Sequence, residues 1–167
     1  MKILTVLTYY RPHTSGLTIY AERLARAFAR RGHQITVMTA QYDQSLPREE
    51  MMDGVRVIRV PVAVRVSKGV IAPTFGLVAT KLVWEHDVIQ LHLPQFDAPG
   101  VAFRARLFGK PAVLTYHCDL RLPPGLFNRF VNLVVKFQNN MAGILADAIV
   151  TYTQDYADHS SYLSRYR

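Results

Sequence analysis

The sequence of 167 residues predicts an α/β fold, a doubly wound parallel sheet of the Rossmann-like kind. Short apolar runs rich in β-branched residues alternate with stretches whose apolar residues recur at helical spacing. The stretches between the runs are long enough for helical crossovers, which join parallel strands and cover both faces of a sheet. With 50% apolar and 19% charged residues, a chain of this length buries a core without disulfides or metals. We therefore expect one domain over residues 1–167.

Six runs are predicted strands, and five helical stretches separate or follow them. The strands are KILTVLTY (2–9), HQITVMTA (33–40), GVRVIRVP (54–61), DVIQLHLP (87–94), KPAVLTYH (110–117) and DAIVTYT (147–153). The helices lie within 17–32, 73–86, 98–109, 124–147 and 154–167. Arg56 and Arg59 interrupt the third strand, which is typical of an edge strand with one face in water.

The helical stretch 124–147 repeats large apolar side chains at helical spacing, which predicts a long amphipathic helix. These side chains are Leu126, Phe130, Leu133, Val134, Phe137, Met141, Ile144 and Leu145. Phe127, Val131 and Val135 extend the apolar surface beyond that stripe. Packing in the core and contact with a membrane surface both explain the pattern, and the sequence leaves the two open.

The formal charge of +8 calls for an anionic partner: nucleic acid, a membrane surface or a phosphorylated small molecule. Nucleic acid is not expected, because no recognition helix, aromatic RNA-binding strand or zinc finger is present. Arg23, Arg26 and Arg30 share one face of the first helix, either as a solvated surface or as a patch for anionic lipid.

The location that the sequence predicts is cytoplasmic, peripheral to the inner face of the membrane if the cationic patch meets lipid. A single cysteine, Cys118, cannot form an internal disulfide, so nothing requires an oxidising compartment. No apolar stretch approaches the ~20 residues of a membrane span.

Ligands bind open parallel sheets outside the carboxyl ends of the strands, and four polar segments follow predicted strands there. These segments are TYYRPHTSG (8–16), LHLPQFD (91–97), TYHCD (115–119) and TYTQD (151–155). We expect His117 to face a ligand, while His92 is either a ligand-facing or a structural histidine. Asp119 either orients His117 or caps the next turn. No metal is expected, because closely spaced pairs of ligands are missing.

Gly16 stands at the start of the first helix, in a loop without a G-x-G-x-x-G or P-loop pattern. It either shapes a turn or lets a phosphate approach the free N–H groups of the helix.

YYRPHTSGLTIYAERLARAFARRGHQITVMTA (9–40) resembles the amino-terminal signature of the retaining glycosyltransferases of family 4, the group 1 type with the GT-B fold. In that signature an aromatic residue and Pro precede a Gly-Gly pair, a helix of the form x-x-Y-x-x-x-L-A-x-x-L follows, and R-G-H leads into the second strand. DGVRVIRVP, DVIQLHLP, KPAVLTYHCD and ADAIVTYT follow in the family's order. The resemblance covers essentially the whole chain and is specific as a set.

The resemblance implies transfer of a sugar from a nucleoside-diphosphate sugar to an acceptor hydroxyl with retention, without a metal or other cofactor. Ser15 and Gly16 would lie against the donor diphosphate, and His117 would act at the transferred sugar. Tyr9, His13, His92, Asp119 and Thr153 would lie on the acceptor side. The acceptor would be a sugar, a lipid-linked molecule or another small molecule. Ser15 departs from the pattern, since it replaces the first Gly of the pair.

The resemblance also implies that the chain is the acceptor-side domain of a two-domain enzyme. A second Rossmann-like domain, with a basic pair and a Glu-x7-Glu element, holds most of the donor contacts in the family and is missing here. The 167 residues alone are therefore expected to be inactive. The alternative is a non-catalytic, flavodoxin-like module that binds an anionic metabolite.

Overall fold

A computed structural model describes residues 1–66, 69–119 and 123–166. Within them the strands are β1 (Lys2–Val6), β2 (Gln34–Gln41), β3 (Glu49–Met52), β4 (Val55–Pro61), β5 (Val64–Val66), β6 (Gly69–Ile71), β7 (Val88–Leu93), β8 (Ala112–Tyr116) and β9 (Ala148–Val150). The helices are α1 (Gly16–Arg30), α2 (Phe75–Glu85), α3 (Ala98–Leu107), α4 (Leu126–Leu145) and α5 (Gln154–His159), with a 3-10 turn at Leu163–Arg165. The last predicted helix, 154–167, is thus shorter than expected, and its end at Arg167 lies outside the described residues.

Seven strands form the main sheet in the order β3-β4-β2-β1-β7-β8-β9. Every pairing is parallel except that of β3 with β4. The order reverses at β1, and β7 then extends the sheet on the other side, as in a doubly wound fold. The predicted fold class is confirmed.

The helices cover both faces of this sheet because neighbouring residues of β1 point in opposite directions. Ile3 packs in one apolar cluster with Ala21 and Ala25 of α1. Leu4 packs in the other, together with buried residues of α2, α3 and α4. The cationic helix α1 and the long helix α4 therefore lie on opposite faces of the sheet.

The third predicted strand, now β4, is not an edge strand, and that prediction was wrong. The strand β3 pairs with it through a turn at Asp53 and Gly54, both with positive φ. The pairing with β3 covers β4, and Arg59 is therefore only 2% exposed. Its guanidinium lies 2.5 Å from the carboxylate of Glu50 and donates to the carbonyl oxygen of Arg11.

Candidate functional site

Four aromatic side chains from four different elements meet beyond the carboxyl ends of the central strands. His92 lies on β7, one residue before its end, His117 follows β8, Tyr152 follows β9 and Tyr20 lies on α1. The Nδ1 atom of His92 lies 2.8 Å from Nε2 of His117, and Nδ1 of His117 contacts the hydroxyl of Tyr152. The ring of Tyr20 stands nearly perpendicular to that of His117, with centroids 5.2 Å apart. We call these four residues the histidine cluster.

Both imidazoles of the histidine cluster are neutral at pH 7. Burial lowers the pKa of His117 to about 4. Burial, and secondly the neighbouring His117, lower the pKa of His92 to about 3. A neutral imidazole offers one N–H donor and one lone pair, so the pair can both share a hydrogen bond and present a polar atom to a ligand.

Several buried polar atoms at this edge of the sheet have no hydrogen-bond partner among the described residues. Nε2 of His92, Nδ1 of His13 and both amide atoms of Gln95 are buried and have no partner among the described residues. Buried polar groups are normally hydrogen-bonded, because an unpaired one costs about 1–3 kcal/mol. His13 and Gln95 belong to two of the polar segments that the sequence places at this edge. A polar ligand at this edge would offer such atoms the partners they lack.

The start of α1 leaves open space in front of Gly16. Ser15 caps the helix: its hydroxyl accepts from the N–H of Thr18, while Thr18 Oγ1 accepts from the N–H of Ser15 at 2.7 Å. The backbone of Ser15 is extended, with a φ of −154°, so this position does not require a glycine. A Cβ built on Gly16 meets no atom within 4 Å, and the N–H groups of Gly16 and Leu17 lack partners within the helix. Those two N–H groups, at the positive end of the helix dipole, can bind an anion.

Tyr9 and His13, both predicted on the acceptor side, stack on each other with ring centroids 4.8 Å apart. Tyr42, which follows β2, packs its edge against both rings at 5.6 and 5.7 Å. These three residues form an aromatic cluster on the loops after β1 and β2. Tyr42 was missed from the sequence because it lies outside the four polar segments.

Asp119 and Thr153 hold α5 in place. The carboxylate of Asp119 accepts hydrogen bonds from the hydroxyls of Tyr116 at 2.8 Å and Ser160 at 3.3 Å. The backbone N–H of Asp119 donates to the hydroxyl of Tyr156. Thr153 caps α5 by accepting from the N–H of Tyr156. These contacts do not include His117, which Asp119 was predicted to orient, and the turn that it was predicted to cap lies outside the described residues. Tyr152 contacts His117 instead.

Residues 1–66, 69–119 and 123–166 contain neither a metal centre nor a membrane-spanning helix. No three His, Cys, Asp or Glu side chains lie close enough to hold a metal ion. None of the helices there combines the length and the apolar character that crossing a bilayer requires.

The fold is that of a Rossmann-like half of a GT-B glycosyltransferase. Sucrose-phosphate synthase from Thermosynechococcus elongatus superposes with a TM-score of 0.63 at 20% identity, over 99% of this chain and 45% of that one. Anabaena HepE, solved in complex with UDP, gives a TM-score of 0.56 at 18% identity, over 99% of this chain and 40% of that one. Acinetobacter baumannii MurG gives a TM-score of 0.52 at 16% identity, over 92% of this chain and 41% of that one. The chain thus spans less than half of each of these structures.

The sequence comparison identifies the family. Residues 15–163 match the glycosyl transferase 4-like domain, and the chain belongs to that family. A curated relative, the uncharacterized glycosyltransferase MJ1607 of Methanocaldococcus jannaschii, is 43% identical over 61 residues, which cover 36% of this chain and 15% of that protein. The predicted resemblance to GT-B glycosyltransferases is confirmed.

Proposed function

We propose that these 167 residues are the amino-terminal, acceptor-side domain of a retaining glycosyltransferase that uses a nucleoside-diphosphate sugar. The observation that carries this proposal is the histidine cluster, whose neutral imidazoles lie at the carboxyl edge of a glycosyltransferase-family sheet. The UDP in HepE supports a nucleotide donor. Less than half of each related structure is spanned, so we propose that a second domain supplies the remaining donor contacts.

In the reaction, the bond between the anomeric carbon and the diphosphate oxygen breaks, a bond to the acceptor oxygen forms, and the proton of the acceptor hydroxyl passes to the departing diphosphate. The departing diphosphate gains negative charge, which the N–H groups of Gly16 and Leu17 and the dipole of α1 stabilise without a metal. His117 lies beside a hydroxyl of the transferred sugar and fixes its position together with His92 and Tyr152, which engage its two ring nitrogens. Tyr9, His13 and Tyr42 supply flat apolar faces on which an acceptor sugar ring can stack.

We place the protein in the cytoplasm, at the inner face of the membrane, with a lipid-linked acceptor as the substrate. The lone cysteine and the charge of +8 support this location. Water-soluble acceptors are the alternative outcome of a transfer assay.

The first test is the intact mass of the natively expressed protein. We expect a mass well above 19.0 kDa and transfer from a nucleotide sugar, with the anomeric configuration of the product, read by NMR, equal to that of the donor. The 167 residues alone are expected to show no turnover. A native mass of 19.0 kDa, together with binding of UDP and no transfer, would instead identify a non-catalytic module for an anionic metabolite.

A further inference from the structure

Helix α4 turns its most apolar side outward. Five of the eight large side chains of its predicted stripe are exposed, by 85%, 63%, 66%, 62% and 61% at Leu126, Phe130, Leu133, Phe137 and Ile144, whereas Leu145 packs against the core. Positions spaced by three, four and seven residues lie on one helical face, so these side chains form a continuous row. A core helix would bury that row, and here it faces away from the sheet.

The inward side of α4 is small and polar instead. Its buried residues are Asn139, Ala142 and Gly143. The amide oxygens of Asn132 and Asn139 are buried without a partner among the described residues. Packing against the domain therefore does not explain why the outward row is apolar.

Charge on α4 is all of one sign. Arg129 and Lys136, seven residues apart, share one side of the helix next to the apolar row, and neither forms an ion pair with any described residue. The twenty residues of α4 contain no Asp or Glu. An apolar face flanked by cations is the pattern of a helix that lies in a membrane interface with anionic lipids.

The amino-terminal end of α4 lies toward the carboxyl edge of the sheet, because the helix runs back from that edge to the start of β9. Its twenty residues span about 30 Å, whereas the five residues of β8 span about 17 Å. The other end of the helix is fixed at the opposite edge, where the N–H of Asp147 donates to the carbonyl oxygen of Ala112 at 2.9 Å. The amino-terminal half thus lies toward the edge of the sheet at which the histidine cluster lies.

An apolar groove of about 470 Å³ continues the row between α4 and its neighbours. Phe137 and Met141 of α4 line one wall, and Phe96 and Phe103, more than half exposed, line the other. Exposed apolar surface that is continuous over several elements marks an interaction site.

We propose that α4 and this groove rest on the surface of an anionic bilayer. The inference rests on the proposed function, because it brings the acceptor edge of the sheet to a lipid-linked acceptor. A second copy of the chain fits less well, since two α4 faces would bring Arg129 and Lys136 of each copy together without an acidic partner. The cations of α1 do not contribute, because α1 covers the opposite face of the sheet.

The test is flotation of the full chain with vesicles of phosphatidylcholine alone or mixed with phosphatidylglycerol. We expect binding to the mixed vesicles at low salt, which weakens at high salt. Phe130→Glu combined with Phe137→Glu should reduce the bound fraction at least about tenfold. Arg129→Glu combined with Lys136→Glu should remove the preference for anionic lipid.

Met51→Glu is the matched control, because Met51 is 67% exposed on β3 at the opposite edge of the sheet. It should bind like the wild type, and circular dichroism should show all variants folded. Wild-type protein that does not float at low salt, or equal binding by the Phe130/Phe137 variant, would overturn the proposal. A dimer in place of vesicle binding would also overturn it: the wild type would then sediment as a dimer in sedimentation velocity, and the Phe130/Phe137 variant as a monomer.

Vesicle flotation does not depend on enzyme turnover, so its result separates the membrane proposal from the proposed sugar transfer. A protein that transfers sugar to a soluble acceptor and fails to float contradicts the membrane surface and the lipid-linked acceptor, but not the sugar transfer. A protein that floats and never transfers sugar contradicts only the proposed function.

Discussion

His92 and His117 share a hydrogen bond of 2.8 Å between Nδ1 and Nε2, across two neighbouring parallel strands. The N–H of His117 donates to the carbonyl oxygen of Leu93 at 3.1 Å, which continues the pairing of β7 with β8 past the last paired residues. This backbone bond places the imidazole of His117 beside that of His92. The pair is therefore fixed by the sheet itself, which makes it a rigid element on which to hold a substrate hydroxyl.

Replacement of His117 by alanine is expected to lower sugar transfer by about 100-fold or more, because a positioned polar group at the reacting sugar is lost. The protein should stay folded, since His117 lies at a partly exposed strand end. His159→Ala is the control, because His159 is a highly exposed histidine on α5. Equal rates for the two variants, measured with a nucleotide-sugar donor, would exclude a role for His117.

Removal of the Tyr152 hydroxyl tests a residue that was not among the predicted site residues. Tyr152→Phe keeps the ring against Tyr20 but removes the contact with Nδ1 of His117. We expect kcat to fall about tenfold and the ring nitrogen resonances of His117 to shift in NMR spectra. Unchanged resonances together with unchanged kcat would show that the contact does not position the imidazole.

The low pKa values of the histidine pair predict a loss of stability in mild acid. In the unfolded chain these side chains titrate near 6.5, whereas the folded protein keeps them neutral down to about 4 for His117 and about 3 for His92. Between these values the unfolded state binds more protons, so the free energy of unfolding decreases as the pH falls below 6.5. Above that pH their contribution is fully present.

Urea unfolding of the wild type and of His92→Leu at pH 7.5, about one unit above the unfolded pKa, and at mildly acidic pH measures this effect. The variant should lose less stability on acidification, by a few kcal/mol at most. Burial also lowers the pKa of His86 and raises that of Asp97. Both groups are present in the wild type and in the variant, so their contributions to the pH dependence cancel when the two are compared. Parallel pH profiles would mean that His92 titrates normally.

Two glycines should respond in opposite ways to alanine. Gly16→Ala meets open space at the start of α1, so the melting temperature should stay the same or rise slightly, while the KM for the donor increases. Gly143→Ala would place its Cβ against the hydroxyls of Tyr162 and Tyr166, and it should destabilise the fold by about 1–3 kcal/mol. An unchanged donor KM in Gly16→Ala would place the diphosphate elsewhere.

The fold class and the edge of the sheet that carries the candidate site were predictable because both follow from strong local patterns. Uninterrupted apolar runs such as residues 87–93 are typical of buried parallel strands, and the carboxyl-end rule selected the segments of His92 and His117 directly. The predicted contact sets were less accurate, since they depend on side-chain directions that the sequence pattern does not contain. Asp119, for example, bonds to Tyr116 in β8 and to Ser160 after α5, and not to His117.

The strand β3 and the outward face of α4 could not be predicted from propensity. The sequence Glu49–Met52 has weak strand preference, and tertiary pairing with β4 decides its structure. The Asp53-Gly54 pair, a known hairpin signal, was the available clue. For α4 the apolar stripe gives the period correctly but not which partner covers it, because core and membrane contact have the same pattern.

The buried ion pair at β3 provides a last test of the fold. The side chain of Arg59 is completely buried, and Glu50 is its acidic partner at 2.5 Å. Glu50→Gln should destabilise the protein by about 2 kcal/mol, because it leaves a buried guanidinium with only carbonyl acceptors. Glu49→Gln, one residue away, removes a pair with Arg56 at the surface and should have no measurable effect.

Denaturant unfolding of both variants at high and low salt measures the difference. Equal stabilities would show that water reaches Arg59 and that β3 is not firmly paired with β4.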